Sequence, residues 1–109
     1  MHMKPQNKYR KFKIKLLQNS VKFYLPRVEQ YLEVVQSMAS KYEDMSMIEI
    51  DGYFEGKFEP VKYVRVEIHT DEDIKDQMIL SYANKIRQKL KQKSLALEFN
   101  NSLILVTED

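Results

Sequence analysis

Cysteine and tryptophan are absent from this chain, glycine occurs twice and proline three times. Without thiols there are no disulfides, no cysteine nucleophile and none of the usual structural zinc sites, a composition that fits a reducing compartment. The two glycines, Gly52 and Gly56, make no glycine-rich phosphate loop, and the nucleophile-elbow and H-E-x-x-H patterns are missing as well. No apolar run approaches the roughly 20 residues that cross a bilayer. The opening "MHMKPQNKYRKFK" has no apolar stretch of the signal-peptide kind. The expectation is a cytoplasmic protein with no membrane partner. Acidic residues are missing from positions 1–22, which carry Lys4, Lys8, Arg10, Lys11, Lys13, Lys15 and Lys22.

What is present is 109 residues, enough for one domain with a single core. Residues 1–9 read as a flexible basic N-terminus and 10–109 as one α+β domain. "KFKIKLL" alternates strictly, with Phe12, Ile14 and Leu16 against Lys11, Lys13 and Lys15, the period of a half-buried first strand. From Pro26 the period changes. Val28, Tyr31, Leu32, Val35, Ala39 and Tyr42 fall on one helical stripe, and proline suits a first helical position.

"MIEIDGYFEG" alternates again and places Ile48, Ile50 and Phe54 inward. "VKYVRVEIH" follows with Val64, Val66 and Ile68 inward. Between them Gly56 permits positive φ and Pro60 ends the turn, so Tyr53 to Val66 reads first as a hairpin. Thr70 is the expected N-cap of a second helix, with Asp73 three residues on, reaching to about Lys93 with Ile79, Ala83, Ile86 and Leu90 inward. "LALEF" and "LILVT" flank Asn100-Asn101, residues that tolerate the left-handed turn conformation.

The order is β-α-β-β-α-β-β, a ferredoxin-like antiparallel sheet with two helices on one face and an extra C-terminal β-hairpin strand. The other sheet face is left open, displaying Lys11, Lys13, Lys15, Glu49, Asp51, Tyr63, Arg65 and Glu67. The apolar C-terminal hairpin suits pairing between subunits, so a homo-oligomer, dimer or higher, is expected.

Catalytic chemistry has little to stand on. His69 beside Asp71 is one candidate general base, but a strand-end histidine among surface acids is more often simply solvated. Glu49, Asp51, Glu55 and Glu59 are spread along the hairpin. The expectation is a protein that is not an enzyme, with no catalytic residue, no metal site and no cofactor. An anionic ligand fits better: Asn84, Arg87 and Lys91 lie at i, i+3 and i+7 on the second helix, offering amide and cationic donors to phosphate. Phe54 and Phe58 on the hairpin and Tyr82 on the helix supply rings for a base, and Arg65 on the open face supplies further charge. A solvated helical ridge is the plainer reading of the same residues. Nucleic acid is an alternative partner, favoured by the basic N-terminus and opposed by Glu49, Asp51 and Glu67, which repel phosphate. A structural interaction module is a third.

The segment "GYFEGKFEPVKYVRVEIHTDEDIKDQMILSYANKIRQKLKQKSLALEFNN" resembles, in layout, the strand, strand, helix, Q-x-S strand arrangement of small bacterial and phage families of unknown function. It also resembles the phage anti-Thoeris proteins. That resemblance implies a small α+β protein with two helices and an assembling C-terminal hairpin. It also implies that the protein sequesters a cyclic or ADP-ribose-type signalling nucleotide at a subunit interface without cleaving it, as a counter-defence sponge. No binding residue of that family maps onto a numbered position of this chain.

Overall fold

A computed structural model of the chain describes residues 11–42, 44–54 and 57–108, with side chains described outside 51–62. The elements in order are β1 (Asn19–Pro26), α1 (Tyr31–Lys41), β2 (Met45–Phe54), β3 (Lys57–Thr70), α2 (Asp76–Lys89), β4 (Ser94–Phe99) and β5 (Ser102–Thr107). The strands form a five-stranded sheet in the order β2-β3-β1-β4-β5, every neighbour antiparallel. This is the expected ferredoxin-like α+β layout with a fifth strand added at one edge. The flexible N-terminus expected at 1–9 lies outside the described residues.

The first strand is not where the lysine-rich alternation put it. Phe12, Ile14 and Leu16 are 64%, 37% and 43% exposed and outside any strand, whereas Val21, Phe23 and Leu25 of β1 are buried. Two overlapping stretches carry the same period, and the environment chooses between them. β1 is the central strand, and its outward Lys22 stands opposite Glu67 on one side and Glu98 on the other, while Tyr24 stands opposite Arg65. A lysine at every outward position would have met that arginine, and like charges directly opposite are unfavourable.

Pro26 closes β1 instead of opening a helix, a strand-end position where its missing N–H costs nothing. A turn follows, with the Val28 N–H donating to the Pro26 carbonyl at 2.8 Å and Gln30 at φ 73°, before α1 begins at Tyr31. The buried stripe of α1 is Val34, Val35 and Met38, and Leu32 faces solvent. Thr70 is likewise the last residue of β3 and not a helix cap. Its hydroxyl accepts the Glu72 N–H at 3.1 Å in a local turn, and α2 starts six residues later.

Strand β2 is turned over relative to expectation. Met47 pairs with Val66 and Glu49 with Val64 on the helix side, so Ile48 and Ile50 share the open face with Arg65 and Tyr63. "MSMIEI" holds two apolar sets offset by one residue, and a one-residue shift exchanges the faces completely. On this edge strand Met45 takes the core side and Glu49 finds Arg27, whose Nη1 donates to Oε1 at 2.7 Å.

The core joins Val21, Phe23 and Leu25 of β1, Val64, Val66 and Ile68 of β3, and Leu95 and Leu97 of β4. From the helices come Val34, Val35 and Met38 of α1 and Ile79, Ala83 and Ile86 of α2. The C-terminal hairpin is therefore integral to the sheet, turning through Asn100 (φ 47°) and Asn101 (φ 73°) as their tolerance of the left-handed region anticipates. At the other edge β1 covers β3 only from Tyr63 to Thr70. Residues 57–62 continue past it, the described pairs there being with β2 alone after a register shift between Ile50 and Gly52.

Candidate functional site on the open face of the sheet

Alternation along the three central strands brings Lys22 and Tyr24 of β1, Tyr63, Arg65, Glu67 and His69 of β3, and Ala96 and Glu98 of β4 to the side away from the helices. Four charges meet at the middle. The Tyr24 hydroxyl donates to Glu98 Oε1 at 2.8 Å, and Lys22 Nζ lies 3.7 Å from Glu98 Oε2. Arg65 Nε lies 2.9 Å from Glu67 Oε1, both side chains well shielded at 29% and 18% exposure. The Nε of Arg65 is buried and its N–H makes no directed hydrogen bond among the described residues, so the contact with Glu67 is coulombic. Glu98 is thus held by a phenol and an ammonium, whereas Glu67 has one ion-pair partner among the described residues and free lone pairs.

The frame around these charges is apolar. Leu103 and Leu105 of β5, opposite Glu98 and Ala96, are 65% and 63% exposed, and Ile48 and Ile50 of β2 flank the other side. These apolar side chains border the charges without covering them. Burial first, and then Glu98 beside it, push the Tyr24 phenol above the ordinary tyrosine value against the opposing pull of Arg65.

Of the ligand residues expected from the sequence, Arg65 alone lies in this cluster. Tyr82 is on the helix side, its ring edge-on to Phe23 at 5.8 Å and the Lys41 ammonium 4.4 Å from its centre. Burial, and secondarily Tyr42, push its phenol up to about 12. Arg87 is 8% exposed and employs its donors within its own helix end: Nε and Nη2 bond Asn84 Oδ1 at 3.0 and 2.9 Å, and Nη1 bonds the Gln92 carbonyl at 3.1 Å. Asn84 and Arg87 are therefore joined to each other, closing the last turn of α2. Lys91 is exposed just past the helix with φ 55°. Phe54 and Phe58 stand on the outer part of the β2–β3 hairpin, and their side chains lie outside the described residues. The sheet separates Tyr82, Asn84 and Arg87 from Arg65.

The sequence reading missed Lys22, Tyr24 and Glu98 as site residues; it placed Glu67 on the open face but counted it as a residue that repels phosphate. The signal was present in "VKFYL" and "LALEF", whose alternation sends a lysine, a tyrosine and a glutamate to one side.

No family model and no curated protein sequence matches the chain. Two solved structures do. A phage SAM lyase in complex with S-methyl-5'-thioadenosine superposes with a TM-score of 0.65 at 13% identity, over 91% of this chain and 96% of that one. A phage SAM lyase in its apo state superposes with a TM-score of 0.58 at 13% identity, over 90% and 98%. At this identity the likeness is one of fold; both matched structures are of phage proteins, in keeping with the phage resemblance, and they leave the anti-Thoeris proteins in particular untested. The likeness overturns the expectation of a non-enzyme. The motifs whose absence carried that expectation belong to nucleophilic, metal and phosphate chemistry, and their absence does not bear on enzymes that work without them. Among the described residues no helix is long and apolar enough to cross a membrane.

Proposed function

We propose that this chain is an enzyme of the SAM lyase kind, cleaving an adenosyl sulfonium at the open face of its sheet. The observation that carries the reading is a shared fold covering more than nine tenths of both chains, one of them bound to S-methyl-5'-thioadenosine. The expected nucleotide survives as the adenosine moiety, and the positive charge of a sulfonium takes the place of a phosphate.

The cluster has the chemistry for this. A sulfonium is a cation, and the Glu67 carboxylate, shielded yet without a side-chain hydrogen bond among the described residues, attracts it. At about 4 Å in an effective dielectric near 20 such an attraction is on the order of 4 kcal/mol, from which desolvation and the repulsion of Arg65, 2.9 Å from the same carboxylate, are to be subtracted. When the carbon–sulfur bond breaks, sulfur keeps both electrons and becomes a neutral thioether. The carbon fragment completes itself internally, either as a double bond with loss of one proton or as a ring, so atoms and charge balance without water. The neutral thioether loses the attraction to Glu67, which favours its release. Because charge is cancelled in the reaction, a substrate that covers the exposed Ile48, Leu103 and Leu105 and displaces water from them gains in the transition state over solvated substrate. Tyr24 and Lys22 keep Glu98 fixed, which in this reading leaves Glu67 to face substrate or to take the proton.

Incubation of the purified protein with S-adenosylmethionine, followed by chromatography, tests the reading. Protein-dependent release of methylthioadenosine is expected. Substrate decay equal to the protein-free control across a range of pH would overturn it.

A further inference from the structure

At the end of the sheet where β3 stops, a cleft of about 370 Å³ opens between the C-terminus of α1, the segment leading into β1 and the β3–α2 connection. Its lining carries both signs of charge: Lys15 and Lys41 against Asp44, Asp71 and Glu72, with Tyr42 and Leu17 as its apolar wall. Opposite charges sharing so small a space would be expected to pair, and among the described residues Lys41, Asp44 and Glu72 do not. The described ion pair there is Lys15 with Asp71 at 3.8 Å, between exposed side chains. Lys41 has no carboxylate within ion-pair distance among the described residues, and its ammonium lies over the rings of Tyr82 and Tyr42 at 4.4 and 5.6 Å. The Asp44 and Glu72 carboxylates are equally without an ion-pair or hydrogen-bond partner among the described residues.

The backbone explains why these heads stay apart. The Asp44 carbonyl accepts the His69 N–H at 3.3 Å, fixing the start of β2 to the end of β3, and the Glu72 carbonyl accepts Asn19 Nδ2 at 2.6 Å. The Glu72 N–H is turned toward the Thr70 hydroxyl at 3.1 Å. Each carboxylate is therefore carried on an anchored turn, while Lys41 belongs to the last turn of a different element. Charges of both signs held separately on the walls of one cleft suit a ligand that brings both signs itself.

We infer that this cleft binds a small zwitterion of the α-amino acid class, its carboxylate toward Lys41, its ammonium toward Asp44 and Glu72, and an aliphatic side chain against Leu17 and the Tyr42 ring. The volume lies at the small end of ligand sites, which run from about 300 to 1,000 Å³, and so matches a free amino acid better than a nucleotide. The inference stands independently of the lyase reading, because none of these residues belongs to the Lys22–Tyr24–Arg65–Glu67–Glu98 cluster.

The test is titration of the isotope-labelled protein followed through the backbone amides of His69, Thr70, Asp71 and Glu72. L-leucine is the zwitterion, with 4-methylpentanoate as the carboxylate-only control and isoamylamine as the ammonium-only control. Saturable shifts with leucine, at least about tenfold weaker binding of either control, and about tenfold weaker leucine binding by Lys41→Met and by Glu72→Gln are expected. Both variants alter exposed side chains, so their unchanged circular dichroism will show that the fold is kept. Absence of leucine shifts at these four amides, or equal shifts with a single-charge control, would overturn the assignment.

Discussion

At the scale of single residues, two arginines expected at one site are held in different ways on opposite sides of the sheet. Arg87 satisfies the end of its own helix through Asn84 and the Gln92 carbonyl while 8% exposed. Arg87→Ala therefore strands Asn84 and an open carbonyl, and a loss of about 1.5–3 kcal/mol is expected by denaturant unfolding. Arg65 sits coulombically against Glu67, and its replacement by Met leaves that shielded carboxylate without its described ion-pair partner, so a loss of about 1–3 kcal/mol is expected by the same measurement. Tyr82 provides the pH signature. Its folded pKa of about 12 lies above the ordinary tyrosine value of 10.0, so between the two the folded state holds the phenolic proton where the unfolded chain has released it. The stabilising contribution is complete below about pH 10, declines as pH rises between the two values and is gone above about 12. Unfolding measured across that range is expected to weaken less steeply in Tyr82→Phe than in the parent, with tyrosinate absorbance of the folded protein tracking the same titration.

At the scale of elements, the period of each segment was legible and its registration was not. Two strands, "KFKIKLL" and "VKFYL", compete for one place. Neighbouring strands decide it, since a central position flanked by Glu67, Glu98 and Arg65 accepts a lysine and a tyrosine better than three lysines. "MSMIEI" carries two interleaved apolar sets, and the pairing with β3 selects between them. By contrast Ile79, Ala83, Ile86 and Leu90 and the Asn100-Asn101 turn were readable directly, because a long periodic helix face and a two-residue left-handed turn have few competitors. The consequence is measurable. Phe23→Ala is expected to cost about 3–5 kcal/mol as a fully buried ring on the central strand. Phe12→Ala, 64% exposed, is expected to stay within about 0.5 kcal/mol. Equal effects would place the lysine-rich stretch back in the sheet.

At the scale of the whole molecule, the helices cover one side of the sheet and leave on the other a charged centre within an apolar frame. The site escaped the sequence reading because it is made of residues far apart in the chain. Lys22, Arg65 and Glu98 meet only once β1 lies between β3 and β4, and no local motif records that order. The search for phosphate donors along one helix found instead a helix terminus. The central claim is that Glu67, in this assembled cluster, faces an adenosyl sulfonium during its cleavage. Its most direct test is the rate of methylthioadenosine release from S-adenosylmethionine by the parent and by Glu67→Gln in parallel, with the thermal midpoints of both recorded. The predicted result is release by the parent and a fall on the order of 10²-fold in the variant at an unchanged midpoint, whereas equal rates in the two proteins, or no release by the parent, would contradict the account.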